Sequence, residues 1–269
     1  MNVRAPASFE ELELHLELAA RAELERGLDA LAAMPEAEDL SCAARGTRLL
    51  WGASAMGGLE RWRPRAEKAA ARLMEIFFDH EFAAFRSTPR SRVLPAEGNA
   101  LAALALARAA AAGHAGAAQA SAQAVDFLRM RLYDPLLGFL SAEGASAPEY
   151  GLLGDIAWGA LAAEELGRSP GGEACVSFAE ELARVLVRDL WDPARSGFAA
   201  RIARRGEGGG ERPDPGAEAA ALEACLRLGR RRAYGLGLAA ARASAGDDPR
   251  ALAAVARAAA LETSFSGAR

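Results

Sequence analysis

The sequence predicts an all-α fold built from repeated pairs of helices, and three observations lead to that prediction. Alanine and leucine dominate the 269 residues, and β-branched residues are scarce. Apolar positions recur at helical spacing rather than in alternation. A phrase made of an apolar run, an aromatic residue and an aspartate occurs three times, with Asp79, Asp134 and Asp192 spaced 55 and then 58 residues apart. A repeat of nearly constant length is typical of stacked supersecondary units.

Each copy of the phrase continues in the same way. The aromatic residues before the aspartates are Phe78, Tyr133 and Trp191, and a phenylalanine follows each aspartate after five or six residues, at Phe85, Phe139 and Phe198. We expect the aspartates to form turns, because catalytic residues do not recur in every unit. We expect each phenylalanine to be buried under its loop, against the aromatic residue that precedes the aspartate.

Ten helices are predicted along the chain. Ser8 and Glu11 form a capping-box pattern at the start of the first helix, and Asp155 and Asp214 stand at cap positions of later ones. Glycine follows several of the helices, as suits the left-handed residue after a helix end. The predicted ranges are 8–34, 40–57, 60–78, 97–113, 116–132, 152–167, 171–190, 214–229, 231–245 and 248–263.

The predicted helices alternate in character. Asn99–Ala112, Asp155–Leu166 and Ala217–Leu228 are small and apolar almost all round, whereas partners such as Glu60–Phe78 carry polar residues along one face. A helix that is apolar all round is buried, and one with a polar face lies at the surface. The alternation predicts an inner and an outer ring of helices in one domain. That domain spans 1–269, with a helical extension over 1–38 and repeats at about 40–96, 97–151, 152–213 and 214–263.

Bulk properties narrow the class of protein. A net charge of −4 and a pI near 5.6 argue against nucleic-acid binding, which normally uses a basic face. No apolar stretch of about 18 residues is present to span a membrane, and no signal peptide is evident, so we expect a cytoplasmic protein. The three cysteines form no CxxC motif, and the three histidines are not paired at ligand spacing. We therefore expect no metal site and no cofactor.

Four phrases resemble a known superfamily, the α/α-toroids of the six-hairpin glycosidase-like kind. They are LYDPLLGFL, LLGDIAWGALAAEELG, LWDPARSGFAAR and PDPGAEAAALEACLRLG, and the resemblance covers about 60–245. Within that superfamily the chain is most similar to the helical C-terminal part of thioredoxin-domain-containing proteins related to spermatogenesis-associated proteins. N-acylglucosamine 2-epimerases are more distantly similar.

The resemblance implies an α/α-toroid, and the chain departs from the family pattern in three ways. The thioredoxin part with its reactive cysteines is absent, so no redox chemistry is implied. In the last motif, the usual Asn of Asp-Asn-Ala is replaced, and the chain reads Pro215-Gly216-Ala217 instead. About ten helices are fewer than the twelve of a complete ring, so the toroid is expected to be incomplete.

In such a toroid the N-terminal ends of the inner helices and the long loops gather on one face, around a funnel. Glycoside hydrolysis needs two carboxyl groups across a cleft, and a tryptophan can serve as a platform for a sugar ring. The alternative for Asp155 and Asp214 is helix capping, which would keep the carboxylates charged, and the alternative for Trp158 is the core. The candidate catalytic residues are Asp155, Asp214 and Glu218, and the candidate substrate-binding residues are Glu97, Asn99 and Trp158.

Two functions are consistent with these features. The first is binding of a carbohydrate or related small polar metabolite in the funnel, with glycoside hydrolase-like or isomerase-like activity. An epimerase would require a histidine acid–base pair, and His80 and His114 are poorly placed for one. The second is a non-catalytic helical scaffold that has lost the site and forms a homo-oligomer through its open helical edge. The glycine-rich segment Arg201–Asp214 is either a mobile loop over the funnel or a disordered insertion.

Overall fold

A computed structural model describes residues 38–55, 60–169, 171–203 and 212–245. The predicted helices 8–34 and 248–263, the Ser8–Glu11 pattern and most of the glycine-rich segment lie outside the described residues. Within them, every helix falls short of the length and apolar character needed to cross a bilayer. The proposed division of the whole chain into an extension and four repeats stays a prediction.

The described residues form eight α-helices, close to the predicted ranges. The three outer helices in the repeat end in a π-helical turn, a feature that the sequence did not predict: Leu73–Phe77, Leu128–Leu132 and Leu186–Leu190. A single 3₁₀ turn, Glu60–Trp62, precedes the second helix. The α-helices are α1 Leu40–Ser54, α2 Arg63–Arg72, α3 Ala96–Ala111, α4 Ala117–Phe127, α5 Leu153–Gly167, α6 Glu173–Val185, α7 Pro215–Arg227 and α8 Arg231–Ala245.

The helices are arranged in two layers. Helices α1, α3, α5 and α7 pack side by side in that order, and each packs against the helix that follows it in the chain. Helices α3 and α5 are buried over most of their surface, because their alanines allow neighbouring helices to approach from all sides. The predicted inner and outer helices are therefore confirmed for the described pairs.

Between each outer helix and the next inner helix lies a two-stranded hairpin. The first pairs β1 (Phe78–Asp79) with β2 (Ala84–Phe85). Asp79 Oδ1 accepts hydrogen bonds from the backbone N–H groups of Glu81 and Phe82, and Asp134 does the same in the second hairpin. The prediction that the repeated aspartates form turns is confirmed. The other hairpins are β4 (Tyr133–Asp134) with β5 (Gly138–Phe139), and β7 (Trp191–Asp192) with β8 (Gly197–Phe198).

The repeated aromatic residues pack in pairs inside these hairpins. Phe85, Phe139 and Phe198 are buried, as predicted. Each meets the preceding aromatic residue edge to face, with ring centroids 5.0 Å apart in the first hairpin and 5.3 Å in the other two. The second pair also contacts Phe178 of α6, and the third lies beside Gly237 of α8. Each of these two hairpins thus joins one helix pair to the next.

Short strand pairings bring the first turns of the inner helices together. Strand β3 (Leu94–Pro95), which leads into α3, pairs with β6 (Ala142–Glu143) of the following loop. Leu152, which leads into α5, forms a bridge with Arg201 of the loop beyond α6. Leu40 at the start of α1 donates a backbone hydrogen bond to Ser87 of the loop before α3. The N-terminal ends of α1, α3 and α5 therefore share one face.

Candidate functional site

The structure divides the six predicted site residues into two groups. Glu97, Asp155 and Glu218 lie in the first turns of α3, α5 and α7, and Asp214 precedes α7. Asn99 is the fourth residue of α3 and Trp158 the sixth of α5, and both are fully buried. The four carboxyl groups, of which Asp155 is also buried, are candidates for a site at these helix starts, whereas Asn99 and Trp158 are engaged by other parts of the chain.

Asp155 does not cap its own helix, which corrects the capping alternative. Leu152 is the cap residue of α5, and it makes no side-chain capping hydrogen bond. Asp155 Oδ1 instead accepts a hydrogen bond of 3.1 Å from the backbone N–H of Glu97, on the neighbouring helix α3. Asp155 Oδ2 is buried and has no hydrogen-bond partner among the described residues.

The surroundings of Asp155 favour its neutral form. The residue is only 4% exposed. Burial raises the pKa of its carboxyl well above the ordinary range, and the negative charges of Glu97 and Glu149 raise it further. The hydrogen bond from the Glu97 N–H opposes this shift without reversing it. Asp155 is therefore a buried carboxyl group whose pKa is raised above that of an ordinary aspartate.

Glu97 lies in a contrasting environment. Its Oε1 accepts a hydrogen bond of 2.8 Å from the guanidinium of Arg45, and its Oε2 faces Gly154 at the start of α5. A Cβ placed on Gly154 would lie 3.0 Å from that oxygen. An arginine and the positive end of a helix both stabilise an ionised carboxylate. The Glu97 side chain is 37% exposed, so a ligand can reach it.

Trp158 is not a sugar platform, and the structure corrects that prediction. Its ring is buried beneath the guanidinium groups of Arg45 and Arg48, which lie 5.2 and 5.4 Å from the ring centroid. Both arginines come from α1, so side chains from α1 and α5 meet inside the inner layer. The ring stabilises two buried cations through cation–π contacts and presents no face to a ligand.

The Asn99 side chain forms hydrogen bonds with the backbone of the chain itself, which corrects its assignment as substrate-binding. Its side-chain oxygen accepts a 2.6 Å hydrogen bond from the Phe85 N–H. Its amide nitrogen donates bonds of 2.8 Å to the carbonyls of Phe85 and Pro95. These bonds fasten the first hairpin to α3, and they occupy both ends of the amide.

Asp214 and Glu218, the two candidates at the start of α7, differ in whether the helix itself uses their carboxyl groups. Asp214 is the cap of α7, and its Oδ2 accepts hydrogen bonds of 2.8 and 3.1 Å from the N–H groups of Gly216 and Ala217. Glu218 is half-buried, and burial raises the pKa of its carboxyl while the charge of Arg212 lowers it. Its Oε1 faces Gly197 of the third hairpin, where a Cβ would lie 3.4 Å away. Asp214 therefore serves the helix start, and Glu218 remains a candidate for ligand contact.

Sequence reasoning missed Arg45, Glu149 and Gly154. Arg45 carried a usable signal, since it is a charged residue within the largely apolar run that becomes α1. Glu149 and Gly154 carried none, because only the folded chain shows which groups lie beside Asp155 and Glu97. Among the described residues, no three histidine, cysteine or acidic side chains are grouped as a metal site would require.

Comparisons with known proteins support the fold. No family model matches the chain, and no curated protein matches it. Solved structures do match. A sugar epimerase from a ruminal bacterium is 14% identical, with a TM-score of 0.64, over 86% of this chain and 70% of its own. An unsaturated glucuronyl hydrolase specific for heparin is 14% identical, with a TM-score of 0.71, over 95% and 85%.

An α-1,6-mannanase from Salegentibacter sp. is 12% identical, with a TM-score of 0.70, over 94% of this chain and 88% of its own. An inactive variant of that mannanase was solved in complex with α-1,6-mannotetrose. The chain shares the α/α-toroid fold of these proteins. The predicted fold class is confirmed, and the similarity to thioredoxin-domain proteins stays a prediction.

Proposed function

We propose that the chain binds a carbohydrate or a related small polar metabolite on its acidic face, defined as Glu97, Glu149, Asp155 and Glu218. We further propose glycoside hydrolase-like or isomerase-like chemistry there. One observation carries the proposal. Two neighbouring carboxyl groups, Glu97 and Asp155, lie in environments that favour opposite protonation states.

Such a pair supplies both halves of acid–base catalysis. A carboxyl group kept neutral by burial can donate a proton, and an ionised carboxylate nearby can act as a base or nucleophile. Glycoside hydrolysis uses two carboxyl groups in these roles. Asp155 is the acid and Glu97 the base or nucleophile, which reverses the role that helix capping would have given Asp155. Glu218, on the other side of α5, is available to contact ligand hydroxyl groups.

The fold neighbours support this class of ligand. The names of the epimerase, the glucuronyl hydrolase and the mannanase all refer to sugars, and the mannanase variant was solved with an oligosaccharide. At identities of 11 to 17% the similarity concerns the fold, so the ligand of this chain must be argued from its own carboxyl groups.

A thermal-shift screen of mono- and oligosaccharides tests the binding. A ligand that binds only the folded state must raise the unfolding temperature. We expect at least one saccharide to do so, and we expect the shift to be lost in Glu97→Gln and Asp155→Asn. Asp126→Asn is the matched control, because Asp126 is exposed on α4 and pairs with Arg129. A full panel without any shift would refute the proposal.

Hydrolysis is tested with a panel of fluorogenic glycosides and purified full-length chain. Release of the fluorophore should fall by about 10²-fold or more in either site variant and persist in Asp126→Asn. Binding without turnover in the native chain would retain the binding proposal and reject the hydrolase one.

One feature favours the alternative, a scaffold that associates with other proteins. Leu136 at the tip of the second hairpin is 84% exposed, and Met130 just before it is 73% exposed. Large exposed apolar side chains are enriched at association surfaces. Light scattering during gel filtration would detect self-association. A dimer that dissociates in Leu136→Ser, combined with a negative saccharide screen, would favour the scaffold.

A further inference from the structure

We infer that Arg45 and Trp158 are positioning residues for Glu97. The Trp158 ring fixes the Arg45 guanidinium, and that guanidinium holds the Glu97 carboxylate at the start of α5 before a ligand binds. The inference rests on the proposed function, in which Glu97 contacts the ligand. It assigns a role in that function to two side chains that are themselves buried.

Glu97 is held at both its backbone and its side chain. Its N–H donates a hydrogen bond of 3.1 Å to Asp155 Oδ1, and its Oε1 accepts one of 2.8 Å from the Arg45 guanidinium. Its Oε2 lies against Gly154, where an added Cβ would be only 3.0 Å away. The same Cβ would lie 3.6 Å from Ala217 Cβ, so the carboxylate is held where the starts of α3, α5 and α7 meet.

The cation of this ion pair belongs to the core, whereas the carboxylate reaches solvent. The Arg45 side chain is 6% exposed, and the Glu97 side chain is 37% exposed. A long side chain at a surface normally samples several rotamers and loses that freedom when it binds a ligand. A buried guanidinium that already holds the carboxylate in one orientation removes part of this entropic cost.

Trp158 determines where the guanidinium lies. Arg45 and Arg48 are placed over its ring, at 5.2 and 5.4 Å from the centroid, and Arg48 is only 1% exposed. Two buried cations that share one ring repel each other, so each requires attractive contacts that fix its position. For Arg45 these contacts include the ring on α5 and the Glu97 carboxylate on α3. A change at Trp158 should therefore reach Glu97 through Arg45.

Carboxyl labelling of the full chain measures this positioning without any ligand. A carbodiimide couples glycine ethyl ester to accessible carboxyl groups, and mass spectrometry of tryptic peptides locates the label. Glu97 is the only acidic residue in the tryptic peptide 93–108, so that peptide reports on Glu97 alone. We expect Arg45→Met and Trp158→Met to label Glu97 several times faster than the native chain, because the carboxylate is released. Arg45→Lys and Trp158→Phe keep a cation and a ring, so their rates should lie closer to the native rate.

Trp62 provides a matched control for the loss of a buried tryptophan. It is 3% exposed, and Arg61 and Arg65 lie over its ring at 5.7 and 5.0 Å from the centroid. It precedes α2, beyond the C-terminal end of α1, and so lies away from the helix starts that carry the candidate site. Trp62→Met should destabilise the chain, as Trp158→Met does, yet leave the labelling of Glu97 unchanged.

Calorimetric titration tests whether the positioning serves binding. The probe is the saccharide that gives the largest thermal shift in the panel described above. Arg45→Met should weaken its binding about tenfold, the usual effect of losing a hydrogen bond to a charged group. Trp158→Met should also weaken it, Trp158→Phe should do so less, and Trp62→Met should not. Circular dichroism shows which variants are folded at the temperature of titration, and the two Trp158 variants suffice if Arg45→Met unfolds.

Four results separate the inference from the proposed function. Equal labelling of Glu97 in the native chain, Arg45→Met and Trp158→Met would overturn the inference. Equal effects of Trp158→Phe and Trp158→Met would also overturn it, since the ring would then act through its volume alone. Faster labelling with unchanged saccharide affinity would show that the contacts do not serve binding, and would overturn it as well. Faster labelling without saccharide binding by the native chain would reject the proposed function and retain the positioning of Glu97.

Discussion

Replacing Phe139 with alanine should destabilise the protein by about 3–5 kcal/mol, the usual cost of truncating a buried phenylalanine. Phe139 is fully buried between Tyr133 and Phe178, with ring centroids at 5.3 and 6.1 Å. Its ring also presses on α5 at Gly159, where an added Cβ would lie only 2.8 Å from Phe139 Cε2. The ring therefore joins the second hairpin, α5 and α6, and its loss leaves a cavity where all three meet.

The close approach of the Phe139 ring to Gly159 allows a second, independent substitution to test the same contact. Gly159→Ala alone should cost about 1–3 kcal/mol, because the added methyl group overpacks against the ring. In the Phe139→Ala background the same change should be neutral or stabilise by up to about 1 kcal/mol, since alanine favours a helix over glycine and the ring is gone. The two substitutions are thus expected to be strongly non-additive.

Urea unfolding of the full chain, followed by circular dichroism, measures these changes. Leu136→Ala in the same hairpin is the control, because Leu136 is 84% exposed and should shift stability by no more than about 0.5 kcal/mol. The reasoning is refuted if Phe139→Ala costs less than about 1 kcal/mol, or if Gly159→Ala costs the same in both backgrounds.

Three further predictions concern polar groups. The pKa of Asp155 is raised in the folded state, so its contribution to stability is complete below its unfolded pKa of about 3.9 and is lost as pH rises through the folded pKa. Asp155→Asn should therefore flatten this part of the curve of unfolding free energy against pH. An unchanged curve would contradict the raised pKa. Asn99→Leu should lower the free energy of unfolding in urea by about 2–4 kcal/mol, because it leaves the Phe85 N–H and carbonyl unpaired. A near-neutral result would show that Asn99 does not hold the first hairpin to α3. Arg227→Met should lower the free energy of unfolding by about 3–5 kcal/mol, because Arg227 bonds to Glu164, Glu165 and Glu223 where α5 meets α7. A loss below about 1 kcal/mol would show that water solvates these carboxylates once the arginine is removed.

The architecture could be predicted from the sequence because its signals are local and repeated. Alanine-rich runs such as Asn99–Ala112 identify buried helices without knowledge of their neighbours, since a helix that is apolar all round has no surface to expose. The hairpins were predictable for a similar reason, because an aspartate bonds to N–H groups two and three residues ahead. The π-helical turns were missed because nothing in the apolar pattern distinguishes them from an α-helical end.

The roles of the candidate site residues depended on contacts between segments far apart in the chain. Asp155 looks like a helix cap in the sequence, yet its carboxyl group bonds to Glu97, 58 residues earlier. In the sequence Trp158 is a candidate platform for a sugar ring, but in the structure two arginines of α1 lie over its ring. The sequence by itself determined the helices, the repeat and the face on which the carboxyl groups lie. Only the tertiary structure decided that the pKa of the Asp155 carboxyl is raised and that Glu97 pairs with Arg45, because burial and neighbouring charges depend on what packs around each group.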